Sequence, residues 1–296
     1  MNILITGATG FIGNALATSL KSEYNTYLLV RETSDVSRID NNIDTVIVYK
    51  DYCQLLSIFE EYKFNGVIHF ASQVRVDHSI EHISHLLHDN ILFGAYLLEA
   101  SKNTNVEWFI NTGTFWQHYN NQDYNPVNLY AATKEAFEDI AKYYTQSSKL
   151  IFTTIKLNDT FGLNDSRVKI LSLWLKMSKN SESIDMTKGE QIVDISYIDD
   201  VVKAYAVMVK NLIEDDAIKY NNKSFVVTNK EKPTLLKLSN MFEEISGKRL
   251  FINWGAKKYR EREVMKPYSL GVPVPNWEQK YTLKESIKLF IGDSND

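Results

Sequence analysis

Between an apolar run, Asn2–Thr6, and an amphipathic stretch, Phe11–Leu20, the chain places Gly7, Gly10 and Gly13 in the sequence Gly-Ala-Thr-Gly-Phe-Ile-Gly. A strand, a tight glycine turn and a helix in immediate succession restrict the fold severely. Gly7 permits the turn. Gly10 lets backbone N–H groups approach a pyrophosphate without a Cβ in the way, and Gly13 lets the helix pack close to the strand. The helix N-terminus adds partial positive charge facing the phosphates. Gly7, Gly10 and Gly13 are therefore candidate dinucleotide contacts, with Thr9, Phe11 and Ile12 from the same turn. The spacing is Gly-x-x-Gly-x-x-Gly rather than Gly-x-Gly-x-x-Gly, so the strand–turn–helix context carries the assignment.

Further apolar runs at Thr26–Val30, Thr45–Val48, Gly66–Ala71, Trp108–Asn111 and Phe152–Leu157 alternate with helical patterns at Gln54–Tyr62, Asn90–Ala100 and Asn128–Tyr144. Continuously apolar strands separated by helices predict a parallel sheet covered on both faces. The expected fold is α/β, a Rossmann-like doubly wound parallel sheet with a smaller C-terminal substrate-binding region. Residues 1–160 are read as the dinucleotide-binding domain, with part of 190–212 interleaved, and 161–296 as the substrate-binding region.

The formal charge of -4 gives no basic footprint for a nucleic acid or an anionic membrane. Cys53 is the only cysteine, so no internal disulfide can form. No charged segment precedes an apolar one at the N-terminus, and no apolar run approaches the ~18 residues of a membrane span. The expectation is a cytoplasmic protein with neither nucleic acid nor membrane as partner.

The end of the second strand selects between dinucleotides. A carboxylate there binds a ribose 2′-hydroxyl, whereas an arginine accommodates a 2′-phosphate. The chain reads Leu29-Val30-Arg31, with no carboxylate at the strand tip. Arg31 favours NADP(H); Glu32 beside it keeps NAD(H) open. Tyr130 and Lys134 lie one helical turn apart on one face. A free phenol has a pKa of about 10, and a neighbouring ammonium is expected to lower it toward the working pH. Lys134 could also hold the nicotinamide ribose.

In TGATGFIG, VIHFAS, DNILFGAYLLEA, VEWFINTGT, YAATK, IKLNDTFG and DISYIDDVVKAY the chain resembles, nearly end to end, the extended short-chain dehydrogenase/reductase family. This family includes the NAD-dependent epimerase/dehydratases of nucleotide sugars. The resemblance implies a third catalytic hydroxyl at the end of the fifth strand: Thr114, with Thr112 as the alternative. It also implies an adenine-contacting acid at Asp51, for which capping of its loop is the equal alternative, and a homodimer formed through the Asn90–Ala100 and Asn128–Tyr144 helices. The loop His69–Asp77 is placed to edge the nicotinamide pocket, making Ala71, Ser72 and Gln73 candidate cofactor contacts. Dehydratases of the family carry Asp-Glu after the catalytic threonine. Phe115 and Trp116 stand there, which leaves C4 ketoreduction or C4 epimerisation.

The segment NWGAKKYREREVM is similar to one in reductases that make CDP-linked 3,6-dideoxyhexoses, implying a nucleotide-linked 4-keto deoxysugar as substrate. Arg260 then matches an arginine that grips the diphosphate, and Asn158 a substrate contact. The family's Arg-Asp before the seventh strand is Val193-Asp194 here, leaving the diphosphate to Arg260, Arg167 or Lys169. His78, His82, His85 and His88 recur at helical spacing, but no carboxylate pattern completes a site, so no metal is expected. Three readings stand: an NADPH-dependent 4-ketoreductase, an NAD-dependent C4 epimerase, and a non-catalytic NADP(H) sensor.

Overall fold

The protein is described from a computed structural model covering residues 1–39, 45–180 and 182–293. Ser181 and residues 294–296, part of the expected substrate-binding region, lie outside the described residues. The chain opens β1 (Asn2–Thr6), α1 (Phe11–Leu20), β2 (Asn25–Arg31), β3 (Thr45–Tyr49), α2 (Gln54–Tyr62) and β4 (Gly66–His69). It continues through α3 (Ile83–Leu87), α4 (Phe93–Asn103), β5 (Trp108–Thr114), α5 (Leu129–Ser147) and β6 (Ile151–Leu157). The remainder is β7 (Asp159–Phe161), α6 (Ile170–Asn180), β8 (Ser183–Met186), β9 (Ile195–Tyr197), α7 (Ile198–Glu214), β10 (Lys223–Val227), α8 (Leu235–Ser246), β11 (Phe251–Trp254) and α9 (Leu283–Asp293).

Seven strands form one parallel sheet in the order β10-β6-β5-β4-β1-β2-β3. Alternating apolar residues of one strand feed opposite layers. Ile3 and Ile5 join Leu28, Val30 and Val201 on one side, while Leu4 joins Leu29, Phe59 and Phe137 on the other. All are nearly or fully buried, and each contributes about 1.5–3 kcal/mol by leaving water. The fold is thus the doubly wound sheet expected from the apolar runs. β10 adds the outermost strand beside β6, so the chain returns to the main sheet well after residue 160. A third core, around Trp174, Leu238, Phe242 and Ile287, holds the C-terminal elements.

Two local results bear on the site. The helix expected from Asn90 starts earlier: α3 runs through a wider π turn, His88–Leu92, into α4. Such turns interrupt the regular side-chain stacking and often occur at functional sites. The strand expected to end at Asn111 extends to Thr114, because its ladder with β6 continues through Thr114↔Leu157. The strand order reverses between β1 and β4, and the chain ends after these strands open onto one crevice, where doubly wound sheets bind ligands.

Candidate functional site

Gly7 sits at φ +69, and a Cβ there would lie 2.6 Å from the Ala71 backbone nitrogen. A Cβ on Gly13 would lie 2.5 Å from the Gly7 carbonyl oxygen, so glycine is what lets α1 start against β1. Gly10 differs: its Cβ would meet only the Gly7 oxygen, at 3.1 Å, and would otherwise project beside open space. Three cavities, of about 840, 220 and 380 Å³, all border Gly10. Together they make a trough over the turn. The bare Gly10 backbone and the N-terminus of α1 fit a pyrophosphate.

Thr9, Phe11, Ile12 and Gly13 border parts of this trough, as do Ala71 and Ser72 from the loop after β4. Asp51 does not. Its carboxylate accepts the Cys53 N–H at 2.7 Å, capping the turn into α2, and Tyr52 is the residue of that turn facing the groove. Gln73 is held away by its backbone, whose N–H donates to Asn90 Oδ1 at 2.7 Å.

Arg31 borders the 220 Å³ groove, but it is not alone there. Asp89, carried on the π turn, faces the same groove with Oδ1 3.7 Å from Arg31 Nη1. The carboxylate missing from the strand tip thus arrives from another element. Glu32 is instead paired with Lys50 at 2.7 Å.

The 380 Å³ cleft brings together Thr114, Tyr130, Lys134, Asn158 and Arg167. Asn128 starts α5 by accepting the Ala131 N–H at 3.0 Å, and its amide nitrogen donates to the carbonyls of Arg75 and Val76. Tyr130 is therefore fixed in the first turn, with Lys134 one turn on. Buried Asn90 clamps the facing loop: it accepts from Ser72 Oγ at 3.0 Å and donates to Thr133 Oγ1 at 2.9 Å. Thr114 and Ser72 border the same cleft as the Tyr130 hydroxyl and pull its titration down. Thr112, the alternative hydroxyl, is engaged elsewhere, 2.8 Å from the Tyr205 hydroxyl.

Burial pushes the Tyr130 phenol up to about 12, against the pull of the Arg167 charge and the Thr114 and Ser72 hydroxyls. The net shift is therefore upward, with burial its largest cause. Lys134 is itself buried, which pulls it down to about 8, and its charge is felt by Glu138 and His69. The cation acting on the phenol is Arg167, held by Asp165 through two bonds of 2.8 Å. Nothing in the Tyr-x-x-x-Lys spacing signals that.

Behind Thr114 lies a polar cluster that the sequence reading missed. Gln117 Oε1 accepts the Thr114 N–H at 2.9 Å, and its Nε2 donates to Glu135 at 2.5 Å and Glu138 at 2.8 Å. Lys156 Nζ lies 3.7 Å from Glu138 and 2.9 Å from His118 Nε2. The available signal was the i, i+4 relation of Lys134 and Glu138.

Arg260 is placed apart from the other candidates. It borders a neighbouring chamber of about 400 Å³ with Arg262 and Asn128, joined to the cleft only by sharing Trp116. Lys169 is paired with Asp159 at 2.6 Å, and buried Asp194 accepts from Thr228 and from the Asn229 N–H. His78, His85 and His88 are exposed, and among the described residues no three His, Cys, Asp or Glu side chains gather as a metal site requires. No helix among them is long and apolar enough to cross a membrane.

Residues 3–221 match the sequence profile of the NAD-dependent epimerase/dehydratase family. The chain belongs to that family. It is an enzyme of the extended short-chain dehydrogenase/reductase type, a family whose members typically use NAD(P). The chain is 26% identical to the CDP-abequose synthase of Yersinia pseudotuberculosis over 90% of its length and 92% of that protein's. It is likewise 26% identical to that of Salmonella muenchen, over 98% and 97%. Among solved structures, the UDP-glucose 4-epimerase of Thermotoga maritima, bound to UDP-glucose, superposes with a TM-score of 0.83 at 23% identity, covering 100% of this chain and 99% of that one. The UDP-glucose 4-epimerase of Brucella ovis with NAD gives 0.85 at 17% identity, covering 99% and 98%. These structures share the fold.

Proposed function

We propose that the protein reduces the C4 ketone of a nucleotide-linked 4-keto deoxysugar, taking NADPH in preference to NADH. Residues 1–160, with part of 190–212 interleaved, hold the cofactor, and 161–296 supply the region that covers the sugar nucleotide. The carrying observation is Tyr130, held protonated by burial beside Thr114 in a cleft that opens on the glycine turn. The resemblance of the 253–265 segment to dideoxyhexose reductases, and the near full-length match to CDP-abequose synthases, support the substrate class.

The bound dinucleotide supplies a hydride. As negative charge develops on the C4 oxygen, Tyr130 donates its phenolic proton to it, and the Thr114 hydroxyl donates a hydrogen bond that orients it. An alkoxide is a far stronger base than a phenolate, so a phenol at about 12 gives up its proton readily. Arg167 stabilises the resulting phenolate until solvent returns the proton. Lys134 anchors the cofactor ribose, and Asn158 and Arg167 hold the substrate. Phe115 and Trp116 offer no acid or base for removing water from the sugar ring. Arg260 and Arg262, in the chamber past Trp116, are the guanidinium forks for the diphosphate. A homodimer through the outer faces of α4 and α5, where Tyr96 and Tyr143 are exposed, completes the reading.

The test is NADPH oxidation against CDP-, GDP- and dTDP-4-keto-6-deoxysugars, with product stereochemistry by NMR. One NADPH consumed per sugar reduced supports the proposal. A C4 epimerase, the second reading, is favoured by the two superposed epimerases; it would interconvert sugars with no added cofactor. Binding of NADPH without consumption on any of these sugars would leave a sensor.

Gln117→Leu should lower kcat by about a hundredfold with dinucleotide affinity unchanged, because it frees the strand end that aims Thr114. An unaltered kcat in steady-state assays would show that the cluster only supports the fold.

A further inference from the structure

We propose that Asp89 is the residue by which this cleft discriminates between dinucleotides with and without a 2′-phosphate, and that it acts against the phosphate. The inference rests on reading the glycine trough as the dinucleotide site.

The groove of about 220 Å³ runs from Gly10 past Tyr52 and Phe93 to Arg31, Ser34 and Asp89. The Asp89 side chain is 24% exposed and the Arg31 side chain 60%, with 3.7 Å between Oδ1 and Nη1. The acid is thus the fixed partner and the arginine the freer one. Its place is set by the π turn and by His88, whose Nδ1 lies 3.3 Å from the same oxygen and 3.1 Å from the Tyr52 hydroxyl. Glu32 is committed to Lys50 and does not border this groove. Among the described residues that line this groove, Arg31 and Asp89 are the arginine and the carboxylate that set its charge.

A 2′-phosphate carries close to two negative charges. To bind Arg31 it must take the guanidinium from Asp89, and it then faces a carboxylate that has lost its partner. Like charges a few ångströms apart in a partly enclosed groove repel appreciably. A ribose 2′-hydroxyl meets no such repulsion, and a carboxylate accepts its hydrogen bond. Asp89 and Arg31 thus pull in opposite directions, and the preference for NADPH is smaller than Arg31 alone would give.

Dissociation constants of NADPH and NADH, measured by calorimetry on the full chain and on Asp89→Asn and Arg31→Ala, test this without any substrate. Asp89→Asn should shift the affinity ratio toward NADPH by about tenfold, and Arg31→Ala should shift it toward NADH by a similar factor. The Asp89→Asn shift should shrink as salt is raised. A merely structural Asp89 would change both affinities together and leave the ratio alone. An unchanged ratio in Asp89→Asn, with both dinucleotides still bound, overturns the inference. NADH affinity within about twofold of the parent shows an intact groove; should the amide disturb the turn, Asp89→Ser is held to the same ratio. If the parent chain binds neither dinucleotide, the reading of the trough itself fails.

Discussion

Tyr130→Phe should slow ketone reduction by about a thousandfold while leaving dinucleotide affinity within about twofold. The substitution removes one oxygen from a ring that stays packed edge-on against Trp116, with centroids 6.4 Å apart. The glycine turn from Gly7 to Gly13 is untouched, so binding and chemistry separate. What is lost is the phenolic hydroxyl that borders the cleft with Thr114 and Ser72 and carries a transferable proton at neutral pH. Single-turnover rates on NADPH-saturated protein read the effect without interference from release steps. A rate within tenfold of the parent would mean that another group protonates the sugar oxygen.

Lys134→Met should lower turnover by about a hundredfold and yet make the protein more stable. Burial holds Lys134 at about 8, below the ordinary lysine value of 10.5. Below pH 8 the folded and unfolded chains both carry the proton, and the folded state bears the full cost of a charge taken out of water. Between pH 8 and 10.5 the unfolded chain binds more protons than the folded one, so stability rises with pH across that window. At pH 7 the cost is about 3 kcal/mol, and methionine of similar length removes it. The melting temperature of Lys134→Met should rise by several degrees at pH 7, and the parent's upward slope between pH 8 and 10.5 should vanish in the variant. A variant that melts lower than the parent at pH 7 would show that the ammonium is stabilised by its surroundings.

The sheet and the glycine turn were legible because both rest on local rules. Continuously apolar strands of four to seven residues point to a parallel sheet covered on both faces, and β1, β4 and β6 are buried almost throughout, whereas β3 at the edge alternates. The helical pattern from Asn128 puts Tyr130 and Lys134 on one face whatever the rest of the chain does, and Asn128 caps that helix in the structure. The contacts that pair distant residues were not legible. Asp89 meets Arg31 only because the chain winds a π turn at His88–Leu92, and a regular helix from Asn90 would have left that groove without its acid. Arg167 reaches Tyr130 through the loop after β7, held by Asp165 at a distance no spacing encodes. The same holds for Arg260, which matched by sequence but lines a chamber beside the cleft rather than the cleft itself. The sign of the Tyr130 shift depended on burial, which outweighs the opposing charge and hydroxyls around it.

The most direct test is the fate of isotopic hydrogen. Incubating the protein with NADPH deuterated at the transferable position and a nucleotide-linked 4-keto-6-deoxysugar should give a sugar carrying one deuterium at C4 for each NADPH consumed, as read by NMR. Conversion of the sugar with no deuterium at C4, or with the labelled NADPH left intact, would contradict the account.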